Sequence, residues 1–197
     1  MRKLLLSMVL IIWSISSFAG LMIEPSIGYL DGSMDTKTTL AGQNLEYGVT
    51  GTEFGAKVGY SFLGLNLGAS YFVASTDFAV DQPSNSGLVD VGFDSTKMGV
   101  FAGFNFPVLL RVWGIYHLSS EYEESIGDKD LLSGKGYTLG LGLTPIPIPL
   151  PFLSLSFNLE YTMINLDEGK DGVTGTISTI DYDVQEIKLS VSTPLNF

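Results

Sequence analysis

The sequence predicts an all-β fold: an eight-stranded, antiparallel, up-and-down transmembrane β-barrel. Three observations predict it. Eight segments alternate apolar and polar residues with the period of two that marks a strand between unlike surroundings. The apolar face of all eight carries no charged residue. The connections between the segments alternate short and long.

The segments run as follows. The first sets Leu21, Ile23, Pro25, Ile27 and Tyr29 against Met22, Glu24, Ser26 and Gly28. The second sets Phe54, Ala56, Val58, Tyr60 and Phe62 against Glu53, Gly55, Lys57, Gly59 and Ser61. The third opposes Leu65, Leu67, Ala69, Tyr71 and Val73 to Asn66, Gly68, Ser70 and Phe72. In the fourth, Met98, Val100, Ala102, Phe104 and Phe106 face away from Lys97, Gly99, Phe101, Gly103 and Asn105. The fifth is less regular, with Leu110, Val112, Gly114, Tyr116 and Leu118 against Arg111, Trp113, Ile115 and His117. The sixth sets Tyr137, Leu139, Leu141 and Leu143 against Gly136, Thr138, Gly140 and Gly142. The seventh is the clearest: Leu153, Leu155, Phe157, Leu159, Tyr161 and Met163 against Ser154, Ser156, Asn158, Glu160 and Thr162. The eighth places Ile187, Leu189, Val191, Thr193, Leu195 and Phe197 opposite Glu186, Lys188, Ser190, Ser192 and Asn196.

Short joints are expected at Leu63-Gly64, around Pro107-Val108 and along the proline-rich Pro145–Pro151. Four long polar loops are expected at roughly 31–51, 75–95, 119–134 and 164–181, by their turn-forming and polar composition. Acids concentrate there: Asp77, Asp81, Asp90 and Asp94; then Glu121, Glu123, Glu124, Asp128 and Asp130; then Asp167, Glu168, Asp171 and Asp181. Within the strands, acids and bases balance: Glu24, Glu53, Glu160 and Glu186 against Lys57, Lys97, Arg111 and Lys188.

Hydrocarbon offers no hydrogen bond to an open sheet edge, so only helices and closed sheets span it. The apolar faces therefore point to lipid and the charges to the lumen. A soluble up-and-down barrel would carry the opposite polarity. Aromatics sit at the ends of the apolar faces: Tyr29, Phe54, Tyr71, Tyr116, Tyr137 and Tyr161 toward the long loops, and Tyr60, Phe62, Phe104, Phe106, Phe152 and Phe197 toward the short turns. Amphipathic rings favour the two headgroup levels. An eight-stranded lumen is only wide enough for side chains to fill it, so the inward charges are expected to pair into a plug.

Arg2 and Lys3, the apolar run Leu4–Ile15 and the small residues around Ser17 and Ala19 predict a signal peptide over residues 1–19, cleaved before Gly20, with one domain over residues 20–197. The chain has no cysteine, which removes disulfide and thiol chemistry. Its formal charge of −11 argues against nucleic acid, which rewards basic surfaces. No P-loop, dinucleotide fingerprint or metal-ligand cluster is present, so neither cofactor nor metal is expected.

Together the alternating strands and the aromatic C-terminal strand ending at Phe197 resemble the small outer-membrane barrels of the OmpA/OmpX type, without a periplasmic domain. The resemblance implies a bacterial outer-membrane location, with loops outside and both termini in the periplasm. It further implies contact with lipid and lipopolysaccharide, a monomeric barrel, and reading of the last strand (Val191, Leu195, Phe197) by the barrel-assembly machinery. It implies no activity beyond a structural or surface-interaction role through acidic loops, and no enzyme is expected. Two alternatives stand beside this. His117 and Ser119 form a His-x-Ser pair followed by acids, faintly like lipid-hydrolysing outer-membrane barrels with a base, a nucleophile and an orienting acid. A narrow channel for small hydrophobic solutes is the other. Asp167–Gly172 fails as a calcium loop, since Gly169 stands at its third position. Register is strongly specified, because a slip by one residue would put Glu186 and Lys188 into lipid. Val191→Arg is expected to impair insertion, and the inward Ser190→Arg to be better tolerated.

Overall fold

The computed structural model describes residues 20–36, 46–80, 91–107, 109–125, 127–147 and 154–197. The predicted leader, Val108, Phe152, and Asp81 and Asp90 of the second loop lie outside these residues.

Eight long strands follow one another: β1 (Gly20–Thr36), β2 (Glu46–Phe62), β3 (Leu65–Val80), β4 (Val91–Asn105), β5 (Leu110–Glu124), β6 (Leu131–Pro147), β7 (Ser154–Lys170) and β8 (Ile177–Ser192). A two-residue strand, β9 (Leu195–Asn196), completes the chain. Each long strand pairs antiparallel with its sequence neighbour, and β1 pairs with both β2 and β8. The sheet is therefore a closed eight-stranded antiparallel barrel. Closure pairs Tyr29 with Leu189 and Asp31 with Ile187.

The joint between β8 and β9 departs from the single final strand expected. Pro194 has no N–H to donate, and the pairing with β1 stops at Ser192 and resumes at Leu195. The amides of Thr193 and Phe197 still bond the carbonyls of Pro25 and Leu21, at 3.0 and 2.9 Å, so the edge stays sealed. Leu63 and Gly64 both adopt positive φ, 51° and 84°, the backbone of a type I′ hairpin turn. Pro145 and Pro147 belong to β6, not to a separate turn, and the register shift between Leu143 and Ile146 accommodates them.

The predicted loop bounds require a larger correction. The long strands hold 15 to 17 residues, whereas a tilted strand crosses hydrocarbon in about 9–11. All of residues 31–36, 75–80, 119–124 and 164–170 is strand. At ~3.3 Å per residue and a tilt near 40°, the excess carries the wall about 15 Å past the lipid.

Alternation explains why these segments look like loops in the sequence: it reverses there. Below the reversal, apolar residues such as Ile27, Phe54, Val100 and Leu189 face outward, while Glu24, Lys57, Glu160 and Lys188 are buried. Above it, the inward residues are Leu30, Met34, Val49, Phe78, Tyr122, Ile164, Leu166 and Val184, which form one apolar cluster. The outward residues are Asp77, Asp94, Glu121, Glu123, Asn165 and Asp181. The exposed Tyr29, Phe54, Tyr71, Tyr116, Tyr137 and Tyr161 mark the boundary. One sheet thus has an apolar outside in its lower part and an apolar inside in its upper part.

On β5 the reversal is built by a bulge. Strict parity from His117 would send Ser119, Glu121 and Glu123 into the lumen. The register shift between His117 and Ser120 instead buries Ser120 and Tyr122 and leaves both glutamates exposed. A second shift, between Leu166 and Glu168, leaves Asp167 and Glu168 both outside.

Val191 faces lipid, and Val191→Arg is expected to cost about 2–4 kcal/mol if the site lies near mid-bilayer, read as loss of heat-modifiable folded barrel in refolding assays. Ser190→Arg is now expected to fail as well, contrary to the expectation from alternation. Ser190 accepts a 3.2 Å hydrogen bond from Asn158 and packs where even a Cβ on Gly28 would lie 2.6 Å from its own. A Val191→Arg variant that inserted as wild type would remove the lipid-facing assignment.

Candidate functional site

Charge enters the lumen from six of the eight long strands. Glu24 (β1) stands opposite Lys57 (β2), and Glu160 (β7) opposite Lys188 (β8), as cross-strand neighbours. The other contacts between charged side chains join strands that are not neighbours in the sheet. Arg111 grips Glu24 in a fork, with Nη1 to Oε1 at 3.0 Å and Nη2 to Oε2 at 2.5 Å, the planar two-point match that guanidinium and carboxylate allow. Arg111 Nε donates to Asn105 Oδ1 at 3.0 Å and Ser192 Oγ to Glu24 Oε1 at 2.7 Å. Lys57 lies 3.4 Å from Glu24 and 4.0 Å from Glu160. Lys188 joins Glu160 to Glu53. Lys97 bonds Glu53 at 3.1 Å and also Glu186. Tyr122 Oη closes the series with a 2.9 Å bond to Glu186 Oε1.

The eight predicted interior charges are therefore one continuous series of alternating sign, from Arg111 through Glu24, Lys57, Glu160, Lys188, Glu53 and Lys97 to Glu186. All are buried. Asn105, Ser192 and Tyr122 were absent from the predicted set. So were Trp113 and Phe72, whose rings lie 4.1 Å from Lys57 Nζ and 4.5 Å from Lys188 Nζ, within cation–π range. Their inward position on alternating strands was the available signal. Two glycines make room for these rings. A Cβ on Gly140 would fall 2.1 Å from Trp113 Cε2, and one on Gly55 1.9 Å from Phe72 Cδ1. The void beside Arg111 and Trp113 measures about 10 Å³, roughly the least that holds one water. Around Arg111 and Trp113 the lumen is filled.

His117 and Ser119 do not meet. His117 is buried and its Nε2 lies 2.7 Å from Thr138 Oγ1, which in turn lies 2.7 Å from Thr162 Oγ1. Ser119, past the bulge, sits on the outer side of the wall and donates to Glu121 Oε1 at 3.2 Å. The closed sheet separates the two side chains.

At the loop end, Asp171 caps its own turn. Its Oδ1 accepts the amides of Thr174 and Val173 at 2.6 and 3.0 Å and the Thr174 hydroxyl at 2.9 Å. Those bonds, the Thr174 amide foremost, hold its carboxyl below the usual aspartate range. Its Oδ1 serves the turn. Among the described residues no three His, Cys, Asp or Glu side chains converge to hold an ion. Of the predicted assembly strand, Phe197 is exposed, while Val191 and Leu195 are half-buried.

No family model matches the chain, and no curated protein matches it. Solved structures similar to it include Ail, the attachment invasion locus protein of Yersinia pestis, in complex with the heparin analogue sucrose octasulfate (17% identity, TM-score 0.49, covering 89% of this chain and 99% of that one). Neisserial surface protein A is similar at 15% identity and TM-score 0.42, covering 91% and 98%. The outer membrane protein OprG from Pseudomonas aeruginosa is similar at 12% identity and TM-score 0.48, covering 91% and 97%. The architecture stands on the strand pairing described above, independently of these likenesses.

Lys188→Met leaves the buried Glu53 and Glu160 with one base fewer. It is expected to destabilise the refolded barrel by about 3–5 kcal/mol, read as a fall in the urea midpoint. Adding Glu160→Gln should return part of that loss. Asp171 is expected to titrate below the ordinary aspartate value by NMR. With its folded-state pKa depressed, the turn's contribution is present above the ordinary aspartate pKa. It is lost as pH falls through the lowered value, and Asp171→Asn should flatten that dependence.

Proposed function

We propose that this chain is an integral protein of the bacterial outer membrane, a monomeric barrel with a sealed lumen that acts through the surface it presents at its loop end. The reversal of polarity along the strands carries this reading. An outward apolar belt from Leu21 to Tyr29 on β1, and from Ile187 toward the C-terminus on β8, suits hydrocarbon. The acid-studded wall above it suits water. In this arrangement the short turns and both termini face the periplasm and the long-loop end faces the medium, in the manner of outer-membrane barrels. Lipid and lipopolysaccharide then surround the belt, and β8–β9 is the segment offered to the assembly machinery.

The filled lumen favours a closed barrel over a solute channel. The separation of His117 from Ser119 favours a non-enzymatic role over lipid hydrolysis. In a planar bilayer the protein is expected to give no steady openings, and reproducible unitary conductance would overturn the sealed lumen. The absence of native cysteine permits a clean orientation test. Thr174→Cys is expected to react on intact cells with a PEG-maleimide too large for porins, and Leu63→Cys only after the outer membrane is permeabilised. The opposite pattern would overturn the proposed orientation.

A further inference from the structure

The apolar cluster inside the upper wall does not fill it to the rim. A pocket of about 330 Å³ remains open at the loop end, at the small end of the ~300–1,000 Å³ usual for ligand sites. Tyr47, Phe78, Phe93 and Tyr182 give it four aromatic side chains, and Glu124 and Asp130 bring carboxylates to its edge. Its floor is fixed. Phe78 and Phe93 pack edge to face at 4.6 Å, and Phe78 continues into the cluster of Leu30, Val49, Tyr122, Leu166 and Val184 that closes the barrel below.

The acids are held in place too. Asp130 Oδ1 accepts the Gly172 amide at 3.0 Å, and the Glu124 amide donates to the Asp130 carbonyl at 2.9 Å. The Glu124 carboxylate rests against Gly127, whose φ of +119° and missing Cβ allow the approach. No Lys or Arg among the described residues lines the pocket. Lys129, the nearest base in sequence, turns to Glu123 at 3.8 Å.

We infer that this pocket binds an organic monocation with an apolar body, such as a quaternary or aryl-alkyl ammonium group. Four considerations converge. Ring faces attract a weakly hydrated cation. The carboxylates at its edge, with no Lys or Arg among the described lining residues, repel anions and raise the local cation concentration. A small hard cation favours several converging carboxylates, and among the described residues no three acidic or histidine side chains converge here. The floor blocks passage, so the site is a receptor end, not a channel entrance. Access from the medium rests on the orientation proposed above; binding to the purified barrel does not.

Isothermal titration of the full barrel in non-ionic micelles tests the inference, with benzyltrimethylammonium as probe and benzyl alcohol and benzenesulfonate as neutral and anionic counterparts. Saturable one-to-one binding of the cation is expected, at least about tenfold tighter than either counterpart. Glu124→Gln with Asp130→Asn should weaken it about five- to tenfold and remove most of its salt dependence. Phe93→Leu should weaken it about three- to tenfold. Glu121→Gln, on the outer wall, should leave affinity within about twofold. Each variant is first checked for the heat-modifiable folded barrel. Binding of benzyl alcohol as tight as the cation, or affinity untouched by the paired acid substitutions, would overturn the inference. So would absence of saturable binding to a barrel that nonetheless labels in the proposed orientation.

Discussion

Backbone amides have no water to turn to inside hydrocarbon, and most of what this chain does follows from that. The sheet must close, so β1 must find β8 across the whole length of the chain. Once it closes, each side chain has only two destinations, and successive residues alternate between them. A lipid exterior then forces Glu24, Glu53, Lys57, Lys97, Arg111, Glu160, Glu186 and Lys188 into a lumen too narrow to hydrate them. Isolated, any one of these would be costly to bury. Their order around the wall solves the problem, since each buried charge meets at least one of opposite sign. Such a series contributes little net stability over an apolar filling, but breaking it at one link is expensive. Its consequence is specificity: only one register brings the eight together.

The upper wall answers to a different solvent. There the inner face is an ordinary apolar core and the outer face is acidic, as in a soluble barrel. The two regimes share a single sheet, and the tyrosine level between them is where the inside and outside rules exchange. The bulge on β5 shows the exchange at atomic scale. It turns Glu121 and Glu123 out and Tyr122 in, and Tyr122 then bridges the regimes by reaching down to Glu186. The mouth pocket exists because this second core thins out toward the rim.

Much of the lower barrel was legible in the sequence, because lipid on one side and charge on the other make alternation unmistakable. The faces of β1 to β4 and β7, the Leu63-Gly64 turn and the eight interior charges could all be read from spacing alone. The upper wall was not legible in the same way. Leu30, Met34, Ile164 and Leu166 keep the period of two but shift its phase, and a search for outward apolar residues reads that shift as the end of the strand. Bulges compound the difficulty, since parity counted from His117 assigns Ser119 and Glu121 to the wrong side. The pocket draws its rings from several strands far apart in sequence, so no local motif announces it. Ser190 illustrates a further limit: alternation says which way a residue points, not how much room it finds there.

The phase reversal also makes the sheet self-proofreading during assembly. In a barrel of uniform polarity, a strand shifted by one residue is penalised by one solvent only. Here the same shift drives Lys188 and Glu186 into lipid and, farther along the same strand, turns Val184 out to water and Asp183 into an apolar core. Opposite errors arise at the two ends of one misaligned strand, and no vertical adjustment of the barrel in the bilayer relieves both. The tyrosines at the crossover therefore act as a depth gauge, fixing how far each strand is drawn through the membrane before its neighbours lock onto it.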